Sequence, residues 1–361
     1  MVAAIHLSKN KLPVTVFEKE NYPNHKVCGE YVSCEILPYL KQLDIHLEEL
    51  KPVIIDKLQY STVSGKIINT NLPLGGLGIS RYALDEFLYR KALASGVKFI
   101  KALVTDVCYT DTDDEFQITS NQKEDFKFQI VLGAYGKRSL LDKKLDRDFI
   151  DQKSGWLAIK GHYKKDNFPG DLVMLHNFNG GNCGLSKTES GAINVCYLAS
   201  YNSFKKYKDP ITFKNKVLLQ NPNLNAFFKE ATPLFQKDLS IAQISFENKS
   251  SVQDHILMLG DAAGLIHPLS GNGMAMAIHS AKLASEAVLN YYRIKEISRE
   301  AMEKEYQQKW KKQFNSRLRI GGLLQRVLLS PRLSAFVQRF ICTFPSLLPK
   351  IISKTHGKPI I

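Results

Sequence analysis

Small residues and a single acid follow a short apolar strand close to residue 260. The strand at 256–259 leads into the sequence GDAAG at 260–264, and the sequence GNG at 271–273 begins a long helix rich in small residues. Small side chains let a ligand approach the backbone, and an Asp at a strand end can bind ribityl or ribose hydroxyl groups. The free amides of a helix N-terminus can face an electron-rich oxygen. The pyrimidine edge of a flavin fits this description; the alternative is a plain strand–turn–helix junction.

Three other positions have side chains suited to the same kind of ligand. Glu18 ends the apolar strand at 14–17, although a solvated acid at a strand end would look the same. In KVCGE at 26–30, Gly29 would let the backbone pass near a ring, and the thiol of Cys28 is compact and polarisable. No His or metal partner is evident for a reactive Cys28. The planar guanidinium of Arg81 suits a phosphate or ribityl group better than a Lys would; the alternative is a surface Arg at a helix start, where the helix dipole disfavours it.

The run GDAAGLIHPLSGNGMAMAI at 260–278 resembles the third FAD motif of flavoprotein oxidoreductases of the geranylgeranyl reductase and para-hydroxybenzoate hydroxylase type. The resemblance covers nearly all of residues 1–292 and implies that FAD is the cofactor. It implies that Glu18 binds the adenosine ribose, that the KVCGE loop lies close to the flavin, and that the backbone of Val104 meets adenine. The implied cofactor contacts are Glu18, Cys28, Gly29, Arg81, Val104, Asp261, Gly273 and Met274.

Two departures from the family pattern change what we expect. The G-x-G-x-x-G fingerprint that binds pyrophosphate is absent, and the family spacing would place its last Gly just before Met1. We therefore expect Met1 to be an internal methionine preceded by roughly 15–20 residues of the βαβ unit, and a chain that begins at Met1 to hold FAD poorly. An upstream reading frame with a stop codon and no Gly-rich stretch would contradict this expectation.

The second departure is Tyr135-Gly136, which stands where hydroxylase-type members carry Asp-Gly. The resemblance implies that this Asp serves both FAD and the nicotinamide donor, so its replacement favours the reductase branch. No second dinucleotide fingerprint is present in the sequence, and a donor such as NAD(P)H would dock transiently or the electrons would come from another protein.

The sequence therefore predicts an FAD-dependent oxidoreductase that reduces an unsaturated or quinonoid, lipophilic small molecule by hydride transfer from reduced flavin. One alternative is an FAD-dependent monooxygenase acting through a flavin C4a-hydroperoxide. A second alternative is a degenerate, non-catalytic relic of a flavoprotein. No residue is assigned as the catalytic acid.

The elements that must position these residues follow an α/β, β-rich, α/β order. This order predicts a discontinuous Rossmann-like FAD-binding domain (1–50, 81–150 and 247–300), an inserted mostly antiparallel β-sheet substrate domain (51–80 and 151–246), and a basic helical C-terminal region (301–361). Hydrophobic periodicity predicts helices at 82–94, 211–229 and 273–292 and a strand at 98–104.

The positive charge is concentrated at the C-terminus. The net charge is +14, and the last 56 residues contain eleven Lys and Arg and no acid, whereas the other 305 residues hold 38 basic and 35 acidic residues. Apolar residues on helical faces with interspersed Arg and Lys indicate either a membrane-surface or partner-binding helix or a helical lid packed on the domains. Peripheral membrane contact follows from the first of these alternatives, and nucleic acid is a poor fit because no reading module is recognisable.

The six cysteines lie apart, with no Cys-x-x-Cys pair and no His at zinc-site spacing. Free thiols and a reducing, cytoplasmic location are expected. His255, His267 and His279 fall on a strand, a turn and a helix, and no metal site is predicted from them. No run of about 18 apolar residues is present, so no membrane-spanning helix is expected.

Overall fold

The computed structural model of the protein describes residues 1–151, 155–207, 209–265, 271–344, 346–355 and 357–361. Within these ranges the chain forms a discontinuous α/β region of the Rossmann type, a large and mostly antiparallel sheet inserted into it, and a helical C-terminal region. The fold class expected from the sequence is confirmed. The division into domains stays a prediction.

Strands dominate the middle of the chain, and long helices dominate its C-terminal part. The α-helices are α1 (Val2–Lys9), α2 (Leu37–Gln42), α3 (Arg81–Ala94), α4 (Leu140–Lys144), α5 (Tyr201–Phe204), α6 (Pro210–Lys216), α7 (Pro222–Glu230), α8 (Gly273–Arg293), α9 (Arg299–Leu329), α10 (Pro331–Thr343) and α11 (Leu347–Thr355). The strands are β1 (Thr15–Phe17), β2 (Tyr31–Ser33), β3 (Val53–Ser61), β4 (Ile67–Gly78), β5 (Lys98–Ile100), β6 (Val104–Thr110), β7 (Glu115–Ser120), β8 (Asp125–Phe128), β9 (Leu132–Gly133), β10 (Trp156–Lys164), β11 (Leu172–Phe178), β12 (Gly181–Lys187), β13 (Ile193–Ser200), β14 (Thr232–Pro233), β15 (Leu239–Ile241), β16 (Val252–Gln253) and β17 (Ile256–Met258).

The α/β region contains two parallel strand pairs. β1 pairs with β5, and β17 pairs with β9 and, on its other side, with β16 in the antiparallel sense. Helices α1, α3 and α8 belong to the same hydrophobic core as these strands, and α8 packs along α1. The buried face of α8 includes Ala281, Ala284 and Ala287, whose small side chains let the two helices approach closely. β6, β7 and β8 form a separate antiparallel sheet.

The inserted sheet has nine strands in the order β14-β10-β13-β12-β11-β3-β4-β2, with β15 also paired to β10. Among the described strands of this sheet, β3 and β11 pair in parallel and the other neighbours are antiparallel. The strand β10 is buried from Trp156 to Tyr163, as expected for a strand covered on both faces. The sheet's edge strand β2 comes soon after the loop that contains Cys28 and Gly29. The loop therefore joins the two main parts of the fold.

The C-terminal region packs on both parts of the fold. Met302, Tyr306, Trp310 and Phe314 recur every four residues on α9 and are buried, and the Tyr306 hydroxyl donates to the Met258 carbonyl of β17 at 2.5 Å. Residues of α10 and α11 share a core with β3 and β4. This packing corresponds to the lid alternative. No helix within the described ranges combines the length and the apolar run needed to cross a bilayer.

Two element predictions need correction. The helix expected at 211–229 is two helices, because buried Asn221 caps α7 by accepting from the Asn223 amide and Pro222 occupies its first turn. The strand expected at 98–104 is divided, because the chain leaves the parallel pair at Ile100 and enters the separate antiparallel sheet at Val104. The helix predicted at 82–94 and the long helix from residue 273 are confirmed.

Candidate functional site

Arg81 and Asp85 form a bidentate ion pair on the first turns of α3. The Arg81 Nε and Nη2 atoms donate to the two carboxylate oxygens of Asp85, each at 2.7 Å. Lys26 contacts the same carboxylate at 3.1 Å. Burial alone would raise the pKa of Asp85, but the Arg81 hydrogen bonds and the two positive charges outweigh it, and the pKa of Asp85 is lowered. Two cations are therefore held by one buried acid at the start of α3.

The start of α3 is itself fixed from the inserted sheet. The Ser80 hydroxyl caps the helix by accepting from the Ala83 amide at 3.1 Å. The Ser80 amide and hydroxyl both donate to the Glu189 carboxylate, each at 2.6 Å. Because Glu189 follows β12, the α3 N-terminus is tied to the sheet as well as to its own core.

The loop with Cys28 and Gly29 lies against the inserted sheet through its carbonyl groups. Asn194 of β13 donates to the Cys28 carbonyl at 3.2 Å, and Ser186 of β12 donates to the Gly29 carbonyl at 3.3 Å. Gly29 itself is exposed, and a Cβ added to it would meet no atom within 4 Å. The loop is thus anchored on one side and leaves open space on the other, as the close approach of a bound group requires.

Glu30, directly after this loop, is buried in a charged cluster. Its Oε1 atom accepts from the Arg81 amide at 2.7 Å and from the Lys160 ammonium group, and its Oε2 atom lies 2.7 Å from His162 Nε2. Lys160 also donates to the Lys26 carbonyl at 3.0 Å. The side chains of Glu30 and Lys160 are completely inaccessible to solvent. Burial would raise the pKa of Glu30, but the His162 hydrogen bond and the Lys160 charge outweigh it, and the pKa is lowered.

The sequence analysis missed this cluster. Lys160 and His162 lie two residues apart on β10 and therefore on one face of a buried strand. The sequence does contain an indication of the cluster: a Lys and a His alternate in an otherwise apolar strand. Because a buried cation needs a polar partner, this pattern predicts a buried acid opposite them. The donor atoms of His25, Glu30 and His162 come within 4.8 Å of one another, but the Lys160 ammonium group already neutralises Glu30, which disfavours a metal cation there.

The turn after β17 is held by buried cations that donate to its carbonyl groups. Lys249 donates to the Asp261 carbonyl at 2.8 Å, and Arg147 donates to the Ala262 carbonyl at 2.9 Å. Burial lowers the pKa of Lys249 to about 8. Gly260 has a φ of +55°, a left-handed conformation that favours glycine, and its amide donates to Ser280 of α8 at 2.9 Å. Residues 266–270 of the same motif, which include His267, lie outside the described residues.

Tyr135, the departure from the hydroxylase pattern, is part of the network that supports this turn. Its hydroxyl donates to Asp142 at 3.2 Å and accepts from Arg147 Nη1 at 3.2 Å. Arg147 also donates to Asp142 at 3.0 Å, and both side chains are buried. Burial raises the pKa of Tyr135. Tyr135 therefore joins a buried ion pair that holds the Ala262 carbonyl.

The start of α8 lies against β2 and the C-terminal segment. A Cβ added to Gly271, which has a φ of +59°, would lie 3.3 Å from the Tyr31 ring. Buried Asn272 donates to Glu35 Oε1 at 3.3 Å. The Arg317 guanidinium and the Gly357 amide also donate to the Glu35 carboxylate, which is inaccessible to solvent. One buried acid thus connects the α8 N-terminus to α9 and to the last residues of the chain.

The structure brings some of the predicted residues together. Burial would lower the pKa of Arg81, but the hydrogen bonds and charge of Asp85, with smaller contributions from Cys28 and Asp261, outweigh it, and the pKa is raised. Glu18 accepts from the Tyr22 hydroxyl at 3.1 Å. Cys28 and Asp261 therefore lie near enough to Arg81 to affect its charge, and Glu18 and Arg81 both act on the pKa of Tyr22. Gly273 and Met274 occupy the first turn of α8, whereas Val104 begins β6 and packs against the main core.

The chain resembles known proteins over almost its whole length, although no protein-family model matches it. Conditioned medium factor receptor 1 of Dictyostelium discoideum is 22% identical over 379 residues, which cover 94% of this chain and 69% of that protein. Digeranylgeranylglycerophospholipid reductase of Methanocaldococcus jannaschii is 30% identical over 390 residues, which cover 96% of this chain and 93% of that protein. The chain belongs to the geranylgeranyl reductase family of flavin oxidoreductases. The structure of the flavin-dependent brominase Bmp2 has the same fold, with a TM-score of 0.78 at 17% identity over 98% of this chain and 90% of that one.

The residues of this family member fit FAD, the cofactor of flavin oxidoreductases of this kind. A Cβ added to Gly29 would project into open space, with no atom within 4 Å, where a bound group can approach the backbone. Lys26 and Arg81, which share Asp85 at the start of α3, suit a diphosphate group. Carboxylates such as Asp261 and Glu18 suit hydroxyl groups of a ribityl chain or a ribose. Glu18, Arg81 and Asp261 offer groups of the kinds that the anionic and hydroxylated parts of FAD require.

Proposed function

We propose that this member of the geranylgeranyl reductase family reduces a carbon–carbon double bond, or a quinonoid ring, of a lipophilic molecule. The observation that carries the proposal is an apolar cavity of about 160 Å³ lined in part by Tyr31, whose ring lies 3.3 Å from the Cβ position of Gly271, two residues before α8. An apolar cavity with few polar groups selects a hydrocarbon ligand. The cavity is lined by Tyr31, Leu72, Pro73, Leu74, Gly75, Ile352, Gly357, Lys358 and Pro359.

FAD, when bound, would supply the hydride for this reduction. The protein's part is to hold the cofactor and to keep the reacting groups dry. We assign Glu18 to the adenosine ribose, Val104 to adenine, and Arg81 to the diphosphate or ribityl part. Asp261 would hold ribityl hydroxyl groups.

The remaining contacts would be made around the flavin ring. Cys28 and Gly29 would pass beside it, and the amides of Gly273 and Met274, at the positive end of α8, would face the electron-rich pyrimidine edge. NAD(P)H, docking transiently, is the proposed electron donor. This assignment leaves Tyr135 a supporting role, since its hydroxyl is committed to Asp142 and Arg147.

An anaerobic reaction tests the proposed function. The purified protein, loaded with FAD and reduced chemically, is mixed without oxygen with a geranylgeranyl lipid, and the return of the visible absorbance of oxidised flavin is followed. We expect reoxidation with formation of a more saturated lipid, and no reoxidation with a fully saturated phytanyl lipid of the same headgroup. Reoxidation that needs oxygen and yields a hydroxylated product would refute the reductase assignment in favour of a monooxygenase. Failure to bind FAD, both by this chain and by a version extended upstream through a glycine-rich phosphate loop, would refute both.

We also propose that α10 contacts an anionic membrane surface, from which such a substrate would come. Apolar side chains recur on the outer face of α10 and its C-terminal cap at spacings of three and four residues, and Arg339 is exposed among them. The surrounding sequence contributes no acid, since residues 306–361 contain none. These exposed residues are Leu333 (44%), Phe336 (66%), Phe340 (46%) and Phe344 (50%).

Vesicle sedimentation tests this contact. The protein should bind vesicles of phosphatidylcholine with phosphatidylglycerol and bind pure phosphatidylcholine more weakly. Combined Phe336→Ser and Phe340→Ser should reduce binding at least tenfold. Ile211→Ser, at a residue that is 67% exposed on α6, is the matched control and should bind like the original protein. Equal sedimentation of the α10 variant and the control would contradict the proposal.

A further inference from the structure

The middle of strands β12 and β13 is accessible on the face of the inserted sheet that carries the Cys28–Gly29 loop. Gly184 of β12 and Cys196 of β13 are cross-strand partners, and both are partly exposed. The opposite face of the two strands is filled by a hydrophobic core that includes Leu185 and Val195. Because cross-strand partners point to the same face and successive residues alternate, the exposure of Gly184 and Cys196 marks open space on the loop side. This space is called the gap below.

The gap lies between two segments that the proposed function assigns to the flavin. Ser186 and Asn194, the next pair on the same face, donate to the carbonyl groups of the Cys28–Gly29 loop. In the other direction along the strands, the next pair includes Leu198. Leu198 belongs to an apolar cluster against which Leu265, the residue after the glycine-rich turn, packs. A molecule in the gap would therefore lie beside the loop and close to that turn.

The gap is also continuous with the surroundings of the apolar cavity. Leu175 of β11 is the cross-strand partner of Gly184 and is partly exposed. It packs against the cluster that contains Tyr31, Leu72 and Ile352, three of the residues that line the cavity. Three strand spacings, about 14 Å in total, separate β4, which carries Leu72, from β12. The partly exposed row through Leu175 thus leads from the cavity to the gap.

Neither backbone conformation nor packing requires a glycine at residue 184. Gly184 is not among the described glycines with a positive φ. Among the described residues, a Cβ added to it would meet only the Cys196 carbonyl oxygen, at 3.7 Å, an ordinary contact. A Cβ at Gly181 in the same strand would lie 2.1 Å from the Leu198 carbonyl oxygen, so the sheet itself explains that glycine. The side chain missing at residue 184 instead leaves the backbone free for the close approach of a bound molecule.

We propose that the unsaturated chain of the substrate extends from the apolar cavity across Leu175 to the bare backbone of Gly184, which places its reacting end beside the Cys28–Gly29 loop. The inference rests on the proposed function for the identity of the substrate. Gly184 is then a specificity-determining residue. A glycine admits a long isoprenoid chain, whereas a larger side chain at this position stops the chain before the loop.

The Cys196 thiol reports directly on the occupancy of the gap. The purified chain is treated with N-ethylmaleimide, with and without saturating geranylgeraniol, and the alkylation of each cysteine is followed by mass spectrometry of its peptide. Without the lipid, Cys196 should react faster than buried Cys183. Geranylgeraniol should slow the alkylation of Cys196 at least fivefold and leave exposed Cys108 unchanged. Cys196 reacting no faster than Cys183, or equally fast with and without the lipid, would overturn the inference.

Chain length provides the second test. Displacement of the fluorescent fatty acid cis-parinaric acid measures the affinity for geranylgeraniol, with four isoprene units, and for geraniol, with two. Gly184→Leu should weaken geranylgeraniol binding at least tenfold and geraniol binding less than twofold, because the shorter chain stays in the cavity. Gly155→Leu, at an exposed glycine whose added Cβ would meet no atom within 4 Å, is the matched control and should change neither affinity. Equal losses for the two alcohols, or no loss for geranylgeraniol, would overturn the role of Gly184.

The outcomes separate this inference from the proposed function. If geranylgeraniol protects Cys196 but an unsaturated lipid does not reoxidise reduced flavin, the path of the chain is supported and the reductase function fails. If the lipid is reduced while Cys196 stays unprotected, the function holds and the inferred path is wrong. If neither alcohol displaces cis-parinaric acid, both the path and the lipophilic substrate are refuted.

Discussion

Lys160→Met removes the positive charge beside buried Glu30 while keeping an unbranched chain of similar length. The Lys160 ammonium group loses its contacts with Glu30 Oε1 and with the Lys26 carbonyl, and the Glu30 carboxylate is left with the Arg81 amide and His162. Both side chains of the broken pair are fully inaccessible to solvent. Removing one partner of such a pair costs about 3–5 kcal/mol of unfolding free energy, because the remaining charge stays buried without compensation.

The matched control is Lys57→Met, which breaks a surface pair. Lys57 contacts Asp171 at 2.5 Å, but the two side chains are 53% and 47% exposed, and exposed pairs contribute about 0–1 kcal/mol. Urea unfolding of the apo-protein at pH 7, followed by circular dichroism, should therefore separate the two variants by about 2–5 kcal/mol. A Lys160→Met midpoint equal to that of Lys57→Met would refute the buried ion pair.

The pH dependence adds a second check on the same variant. The pKa of Glu30 in the folded chain lies below its ordinary value of 4.5. The ionised group therefore contributes stability that is fully present above about pH 4.5 and is lost as the pH falls through the folded-state value. Because Lys160→Met weakens this contribution, the stability difference between the variant and the original protein should be largest at neutral pH and should narrow in acid.

Three smaller changes test other parts of the site. Gly29→Ala should leave the midpoint of urea unfolding unchanged and should weaken FAD binding at least tenfold in a fluorescence titration. Gly78→Ala, whose Cβ would overlap the Lys187 carbonyl, should instead lower the midpoint. If Gly29→Ala and Gly78→Ala changed the midpoint and the FAD affinity to the same extent, the open space at Gly29 would be contradicted. Tyr135→Phe should lower the free energy of unfolding in urea by about 1–2 kcal/mol, since the buried network of Asp142 and Arg147 loses a hydroxyl group. An unchanged free energy of unfolding would show that this network does not depend on the hydroxyl. Gly357→Ala should make the C-terminal residues more susceptible to carboxypeptidase digestion, because the added Cβ would overlap Arg317 and displace the chain from Glu35. An unchanged rate of digestion would contradict the packing of the C-terminus against Glu35.

The sequence alone predicted the parts of the fold that depend on local patterns. The helix α8 and the turn before it were readable because small residues, glycines and an Asp follow an apolar strand in a fixed order. The break between the two helices within 211–229 also has a local pattern, because Asn221-Pro222 is a typical N-cap and first-turn pair that starts a new helix. Lys160 and His162 show the limit, since their meaning depends on Glu30, 130 and 132 residues earlier in the chain. Nothing in local periodicity pairs residues so distant.

The Glu35 contacts were unpredictable for the same reason. Glu35 lies two residues after β2, and the groups that satisfy it come from Asn272 before α8, from α9 and from Gly357, 322 residues later. An acid in the sequence segment SCEILPYL gives no sign that it will be buried. Only the packing of α8, α9 and the C-terminus around it creates its hydrogen-bond donors.

The parallel pairing of β3 with β11 has a consequence for how the chain folds during synthesis. Lys57 and Asp171 meet across 114 residues, so one edge of β3 has no strand to pair with until β11 leaves the ribosome. At about 5–20 residues per second this wait lasts on the order of 10 s. During that time the hairpin of β3 and β4 exposes an unpaired edge that could join another nascent chain. The yield of folded protein should therefore depend strongly on expression temperature and chaperone supply, even for variants whose final stability is unchanged.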